Sequence, residues 1–148
     1  MSELHRYATS DDLVEGAARA LVDAIVSFQV GGRVAVLGLT GGRIANRLYE
    51  RLGALLGASD VDPGRLELWW SDENFVTTDD PRRNAGHALA LLAGHFALDP
   101  ARTHPMPSAD GVADNAASAA TYAKELGDVT FDICLMGLGA DGHVASIF

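Results

Sequence analysis

TFDICLMGLGADGHVASIF, residues Thr130 to Phe148, reads as a strand, a glycine turn and the opening of a helix. Phe131 to Met136 is a short apolar run rich in β-formers, as in a buried strand. Glycines follow at positions 137, 139 and 142, then His143, and Val144 to Phe148 reads as a first helical turn. A strand that breaks at glycines and passes into a helix presents backbone N–H groups at its tip, where an anion or polar substrate can sit. Asp141 and His143 add two groups that can orient or move a proton.

The same strand–turn–helix plan runs through the chain upstream. Thr9-Ser10-Asp11-Asp12 is a helix start, a hydroxyl cap followed by acids in the first turn. Leu13, Ala17, Leu21, Ala24 or Ile25, and Phe28 follow at helical spacing, and Gly31-Gly32 ends that helix. Arg33 to Leu39 is a continuous apolar strand and Thr40-Gly41-Gly42 its loop. Arg43 to Leu56 is a second helix, with Ile44, Leu48, Leu52 and Leu55 on one side. Leu66 to Ser71 is a strand ending in Asp72-Glu73-Asn74. A third helix runs from about Arg82 to His95, a short strand from Thr103 to Met106, and an alanine-rich helix from Gly111 to Leu126. The alternation predicts a single α/β domain, doubly wound, with a mostly parallel sheet and helices on both faces. In such sheets ligands bind beyond the carboxyl ends of the strands. The loops at Thr40–Gly42, Asp72–Asn74 and Gly139–His143 should therefore share one rim.

Bulk properties narrow the function. The chain has 148 residues, 48% of them hydrophobic, enough for a real core. Its net charge of −9 argues against nucleic acid or an anionic membrane as main partner, since both call for a basic face. An anionic metabolite would have to be held locally, by a few arginines and backbone amides. Cys134 is the single cysteine, so no disulfide can form within the chain, which fits a reducing cytosol. The N-terminus lacks an apolar signal core, and no run of roughly 18 apolar residues occurs. The expected location is cytoplasmic. No His/Cys grouping has zinc spacing, so no metal is expected.

Gly137 to Gly142 also fits G-x-G-x-x-G, a dinucleotide fingerprint. That fingerprint normally sits at the first strand–helix turn, and a pyrophosphate site wants bare backbone where this loop carries Asp141 and His143. A plain sharp turn is the remaining alternative. Of the five histidines, His5, His87, His95 and His104 read as ordinary surface residues. His143 alone is held in a glycine loop, with an ordinary pKa of about 6.5 that suits a base near neutrality. Asp141 could orient it or be the base itself. Thr40-Gly41-Gly42 followed by Arg43 could hold a phosphate through amides, helix dipole and a guanidinium, or be an ordinary turn. Arg82 and Arg83 could reach the same rim, although for at least one of them a solvated charge at a helix start is the stronger reading. Asp72 and Glu73 point opposite ways along an extended segment, so one should face the site and the other support the loop. Trp69 and Trp70 read as core.

These residues resemble a known family. GLGADGHVASIF is similar to the G-x-G-x-D-G-H-x-A-S-L-F signature of 6-phosphogluconolactonases. Ser71 to Val76 followed by Arg83-Asn84 resembles that family's D-E-R-x-V-P … S-N segment, and Leu39-Thr40-Gly41-Gly42 its S/T-G-G phosphate loop. The related glucosamine-6-phosphate deaminases share G-x-D-G-H-x-A but continue F-N-E-P, so Ser146-Ile147-Phe148 has the lactonase form. The resemblance implies a Rossmann-like, NagB-type fold. It implies cofactor-free hydrolysis of 6-phospho-D-glucono-1,5-lactone to 6-phosphogluconate in the pentose phosphate pathway. His143 would be the general base activating water, with Asp141 in support. Thr40, Gly41, Gly42, Arg43, Asp72, Asn74, Arg83, Gly139 and Gly142 would contact the substrate. Asn74 stands where the family has arginine, so Arg43, Arg82 or Arg83 would have to take over its grip on phosphate. The resemblance also implies a longer domain, by on the order of 100 residues. The chain would be its N-terminal portion, and a phosphate-binding lysine would lie in the remainder.

Overall fold

The computed structural model describes residues 2 to 147. Helix α1 spans Ser10–Gln29, and Thr9 caps it as expected, its hydroxyl accepting from the Asp12 amide at 3.1 Å. Strand β1 (Ala35–Leu39), helix α2 (Arg43–Gly57), strand β2 (Leu66–Trp70) and helix α3 (Asn84–Ala93) follow. Strand β3 (Thr103–His104), helix α4 (Asn115–Leu126) and strand β4 (Ile133–Cys134) complete the series. All the strand pairings are parallel, in the spatial order β3-β2-β1-β4. The α/β architecture matches the expectation; the strands and helix α3 are shorter than their sequence signals, whereas α2 runs one residue past Leu56.

Alternation along the strands decides what lies on each face. Leu66, Leu68 and Trp70 of β2 and Ala35, Leu37 and Leu39 of β1 face a core shared with α1, α2 and α3. The other face of β2 carries Trp69, stacked on His104 at 4.0 Å between ring centroids and tilted against Tyr122 of α4. Helices thus cover both faces. Both tryptophans are 2% exposed, as core residues should be. Leu37 is 1% exposed in the middle of this packing. Leu37→Ala is expected to destabilise the fold by about 2–5 kcal/mol, read from urea unfolding.

The buried faces of the first two helices differ from the expected ones. Val14, Ala18, Leu21, Ile25 and Gln29 are buried on α1, and Ala45, Tyr49, Leu52, Gly53 and Leu56 on α2. Leu13 and Ile44, expected inside, are 40% and 41% exposed. Leu21, Ile25 and Leu52 are buried as expected, while the rest of each buried face is shifted by one residue, which brings Ala18, Gln29, Ala45 and Tyr49 inward. Gln29 shows why a polar side chain can be there. Its amide donates to the Asp62 and Arg65 carbonyls and its oxygen accepts from the Asp62 amide, so burial leaves no polar atom stranded.

The largest departure is at the C-terminal end. Strand β4 is confined to Ile133–Cys134, at a sheet edge, with Cys134 exposed rather than buried. No helix opens after it among the described residues. The chain folds back instead, with antiparallel bridges Leu138–Val144 and Val144–Ile147. Ala145 (φ 50°) and Ser146 (φ 61°) lie in the left-handed region, which cannot propagate a right-handed helix. Phe148, the last residue of the expected helical turn, lies outside the described residues.

Candidate active site

The strand order places a topological switch point between β1 and β4: the chain runs outward from β1 to β2 and β3, then returns to the opposite side of β1. A crevice opens beyond the strand ends at such a point. Here it is a cleft of about 300 Å³ lined by the loops after β1 and β4. Thr40, Gly41, Gly42, Asp72, Gly139 and His143, all nominated from the sequence, share its wall.

His143 hangs from a tight turn. Gly142 N–H donates to the Gly139 carbonyl at 3.0 Å, and Gly139 N–H to the His143 carbonyl at 2.9 Å. A methyl group on Gly139 would sit 2.2 Å from the imidazole, so a side chain there would push the ring out of its place. Asp141 Oδ1 meets both the His143 backbone amide, at 3.2 Å, and Nδ1 of the ring. Nδ1–H donating to this carboxylate leaves the ring lone pair on Nε2. Nε2 is the atom a general base would use.

The hydrogen bond from His143 pulls the Asp141 carboxyl below its ordinary value, with the His143 backbone amide adding to the effect. A carboxylate lowered in the folded state stabilises the fold above its unfolded pKa of about 3.9 and loses that contribution as pH falls through the lower, folded value. Wild type and Asp141→Asn should therefore differ in urea stability at pH 7, the wild type being the more stable. The two curves should close up below about pH 4. The gap should be small, because Asp141 is exposed.

Asp72 and Glu73 divide their tasks. Asp72 lines the cleft and accepts from the Ser146 hydroxyl at 2.5 Å, tying the loop after β2 to the turn after β4. Glu73 turns away and caps α3, accepting from the Asn84 amide at 2.7 Å and the Ala85 amide at 2.8 Å. This capping sets Asn84 at the cleft wall, against Gly41.

The other nominated residues lie elsewhere. Asn74 borders a separate cavity of about 130 Å³ with Phe75 and Met106, and its amide donates to the Arg82 carbonyl at 2.7 Å. Arg83 is 5% exposed and its guanidinium donates to the Met106 carbonyl, so it braces the loop ahead of α4 and cannot reach the rim. Arg82 is bound by Asp80 at 2.8 and 3.0 Å, and that hydrogen bond holds the Asp80 carboxyl down at about 2. Arg43 begins α2 between two lining residues, Gly42 and Ile44, but its own side chain is exposed and outside the lining. Asp141 and Gly142 belong to the histidine's turn but lie outside the cleft lining. Ile44, Asn84, Leu138, Ala145 and Ser146 line the cleft without having been nominated. Asn84 and Ser146 were within reach of sequence reading, since each lies inside a quoted motif.

Parallel strands wound on both faces, with a histidine–carboxylate pair facing a glycine loop across the switch point, define an α/β protein with an open cleft at its strand ends. The chain belongs to the family of glucosamine-6-phosphate isomerases/6-phosphogluconolactonase, whose model matches residues 8–148. The 6-phosphogluconolactonase of Streptomyces coelicolor is 39% identical over 148 residues, which cover 92% of this chain and 57% of that protein. The Mycobacterium tuberculosis protein of the same name is 33% identical over 157 residues, covering 99% of this chain and 63% of its own. The solved structure of 6-phosphogluconolactonase from Trypanosoma brucei superposes with a TM-score of 0.83 at 24% identity, covering 100% of this chain and 64% of that one. At that identity the likeness speaks to the fold. The chain thus spans 57% to 64% of the length of these relatives. Among the described residues no helix is long and apolar enough to cross a membrane.

Proposed function

We propose that the chain carries the catalytic part of a 6-phosphogluconolactonase, hydrolysing 6-phospho-D-glucono-1,5-lactone to 6-phosphogluconate. The observation that carries this reading is the pairing of His143 and Asp141 across one cleft from the Thr40–Gly42 loop. His143 Nε2 takes a proton from water, and the oxygen attacks the lactone carbonyl carbon. The tetrahedral oxyanion collapses, the ring C–O bond breaks, and the leaving ring oxygen takes the proton back from the imidazolium. Asp141 keeps the ring oriented and favours its charged form during the reaction. Water is the only second reactant. The oxyanion would have to be received by amides of the Gly139–Gly142 turn other than those of Gly139 and Gly142, which already donate within it. The 6-phosphate sits on the amides at the start of α2, where the helix dipole favours an anion.

A second reading is favoured by one observation: among the described residues, no arginine or lysine lines the cleft. A phosphate held by amides alone is held weakly, as in a sugar-phosphate-binding module with little turnover. The net charge of −9 supports a small metabolite over nucleic acid as partner, and we place the protein in the cytoplasm. The chain forms one α/β body, the N-terminal portion of a longer lactonase domain. One set of assays separates the readings. Lactone hydrolysis above the spontaneous rate supports the lactonase. Calorimetric binding of 6-phosphogluconate without turnover supports the module. Ammonia release from glucosamine 6-phosphate would move the assignment to the family's isomerase branch, and failure of all three would sink the site.

A further inference from the structure

Tyr49 lies wholly inside the core, 0% exposed, on the buried face of α2. Its hydroxyl accepts from the Thr40 amide at 2.9 Å and donates to the Thr40 carbonyl at 2.7 Å. One phenol thus uses its donor and an acceptor position on the two backbone groups of one residue. Thr40 is where β1 ends and the cleft begins, and it lines that cleft. Burial pushes the Tyr49 hydroxyl up to about 12, so it stays a donor throughout the neutral range.

We propose that Tyr49 is a positioning residue of the cleft, its hydroxyl setting the Thr40–Gly42 loop so that the amides of Gly41 and Gly42 face the phosphate. This rests on the phosphate reading given above and extends it to a residue that touches no ligand. Two consequences follow from the bond pattern. The Thr40 carbonyl, whose oxygen would repel an anion, is turned to the protein interior and satisfied there. The Thr40 amide is consumed as well, so the anion's donors come from Gly41, Gly42 and the first turn of α2. With no basic side chain lining the cleft, the placement of those amides decides how well phosphate binds.

The fold supplies its own control. Tyr122 makes the same bracket at the end of β2, accepting from the Trp70 amide at 2.8 Å and donating to the Trp70 carbonyl at 3.0 Å. Trp70 does not line the cleft. Tyr49→Phe and Tyr122→Phe therefore lose the same two bonds at neighbouring strand ends, one at a cleft-lining residue and one at a residue outside the lining. Each keeps its ring and so its packing.

The test compares wild type, Y49F and Y122F in two measurements. The first is steady-state lactone hydrolysis with calorimetry on 6-phosphogluconate. The second is amide hydrogen exchange at Gly41 and Gly42. Y49F should raise KM and Kd about tenfold, the size of one lost hydrogen bond to a charged group, with kcat changed less than about twofold. Exchange at Gly41 and Gly42 should quicken in Y49F alone. Equal kinetic effects in the two variants would overturn the proposal, leaving only a shared loss of stability. So would unchanged exchange at Gly41 and Gly42 in Y49F. If wild type binds no 6-phosphogluconate, the phosphate reading fails, and the exchange contrast between the variants still decides whether Tyr49 sets the loop.

Discussion

His143→Ala is expected to lower lactone hydrolysis by about 10²–10⁴-fold, toward the spontaneous rate, with little change in the affinity for 6-phosphogluconate. The magnitude is that of a positioned general base, and the split between turnover and affinity follows from the geometry. The histidine sits on the turn after β4, and the loop that receives the phosphate follows β1. Removing the imidazole takes away the proton acceptor and leaves the anion's donors in place. His143→Gln tests the same point with a polar side chain that cannot take up a proton near neutrality. Asp141→Asn should fall between the wild type and the alanine variant. An asparagine can still accept from Nδ1–H through its carbonyl, but it does not favour the imidazolium. The activity should be followed at several pH values against a no-enzyme control, because the lactone opens unaided. Turnover by His143→Ala at the wild-type rate would remove the histidine from the chemistry, whatever the cleft binds.

The sequence carried the order of elements and the two glycine loops because those signals are local. A glycine run after an apolar strand marks a turn wherever it occurs. Which helix face turns inward is a tertiary matter. On α2 the leucine pattern pointed to Ile44 and Leu48, whereas Ala45 and Tyr49 are the residues buried there. Tyr49 was invisible as a core residue because half its role is polar, and its hydroxyl finds partners only once β1 lies beside it. The arginines could not be placed from the sequence for a related reason. Arg83 and Arg82 lie close in sequence to the rim motif, but one is spent on the Met106 carbonyl and the other on Asp80. Sequence proximity says nothing about which acceptor claims a guanidinium. The failed helix after His143 is the same lesson in backbone form. Its residues have ordinary propensities, and the left-handed pair Ala145–Ser146 carries a bond from Ser146 to Asp72, far off in the chain. Both residues of the pair line the cleft together with His143.

Gly41→Ala should cost the protein both ligand and stability. A methyl group at this position would stand 2.0 Å from Oδ1 and 2.3 Å from Cγ of Asn84, so one of the two must move. The Asn84 backbone cannot easily yield, since its amide is fixed by Glu73 at the start of α3. The loop is held from the other side by Tyr49 through Thr40. Strain then goes into the Asn84 side chain, which turns into the cleft, or into the Gly41–Gly42 peptide, which turns its amide off the phosphate. Either outcome acts on bound substrate. The expected loss in kcat/KM is about 10–100-fold, carried mostly by KM, with about 1–3 kcal/mol of stability lost as for other overpacked sites. Asn84→Ala in the same chain makes the room the methyl group needs. The double variant should recover most of the stability lost by Gly41→Ala alone, a non-additivity that only residues in contact show. Binding should recover less, because the Asn84 amide is itself part of the cleft wall. Additive stabilities in this cycle would mean that Gly41 and Asn84 are not in contact, and the cleft would then need another wall.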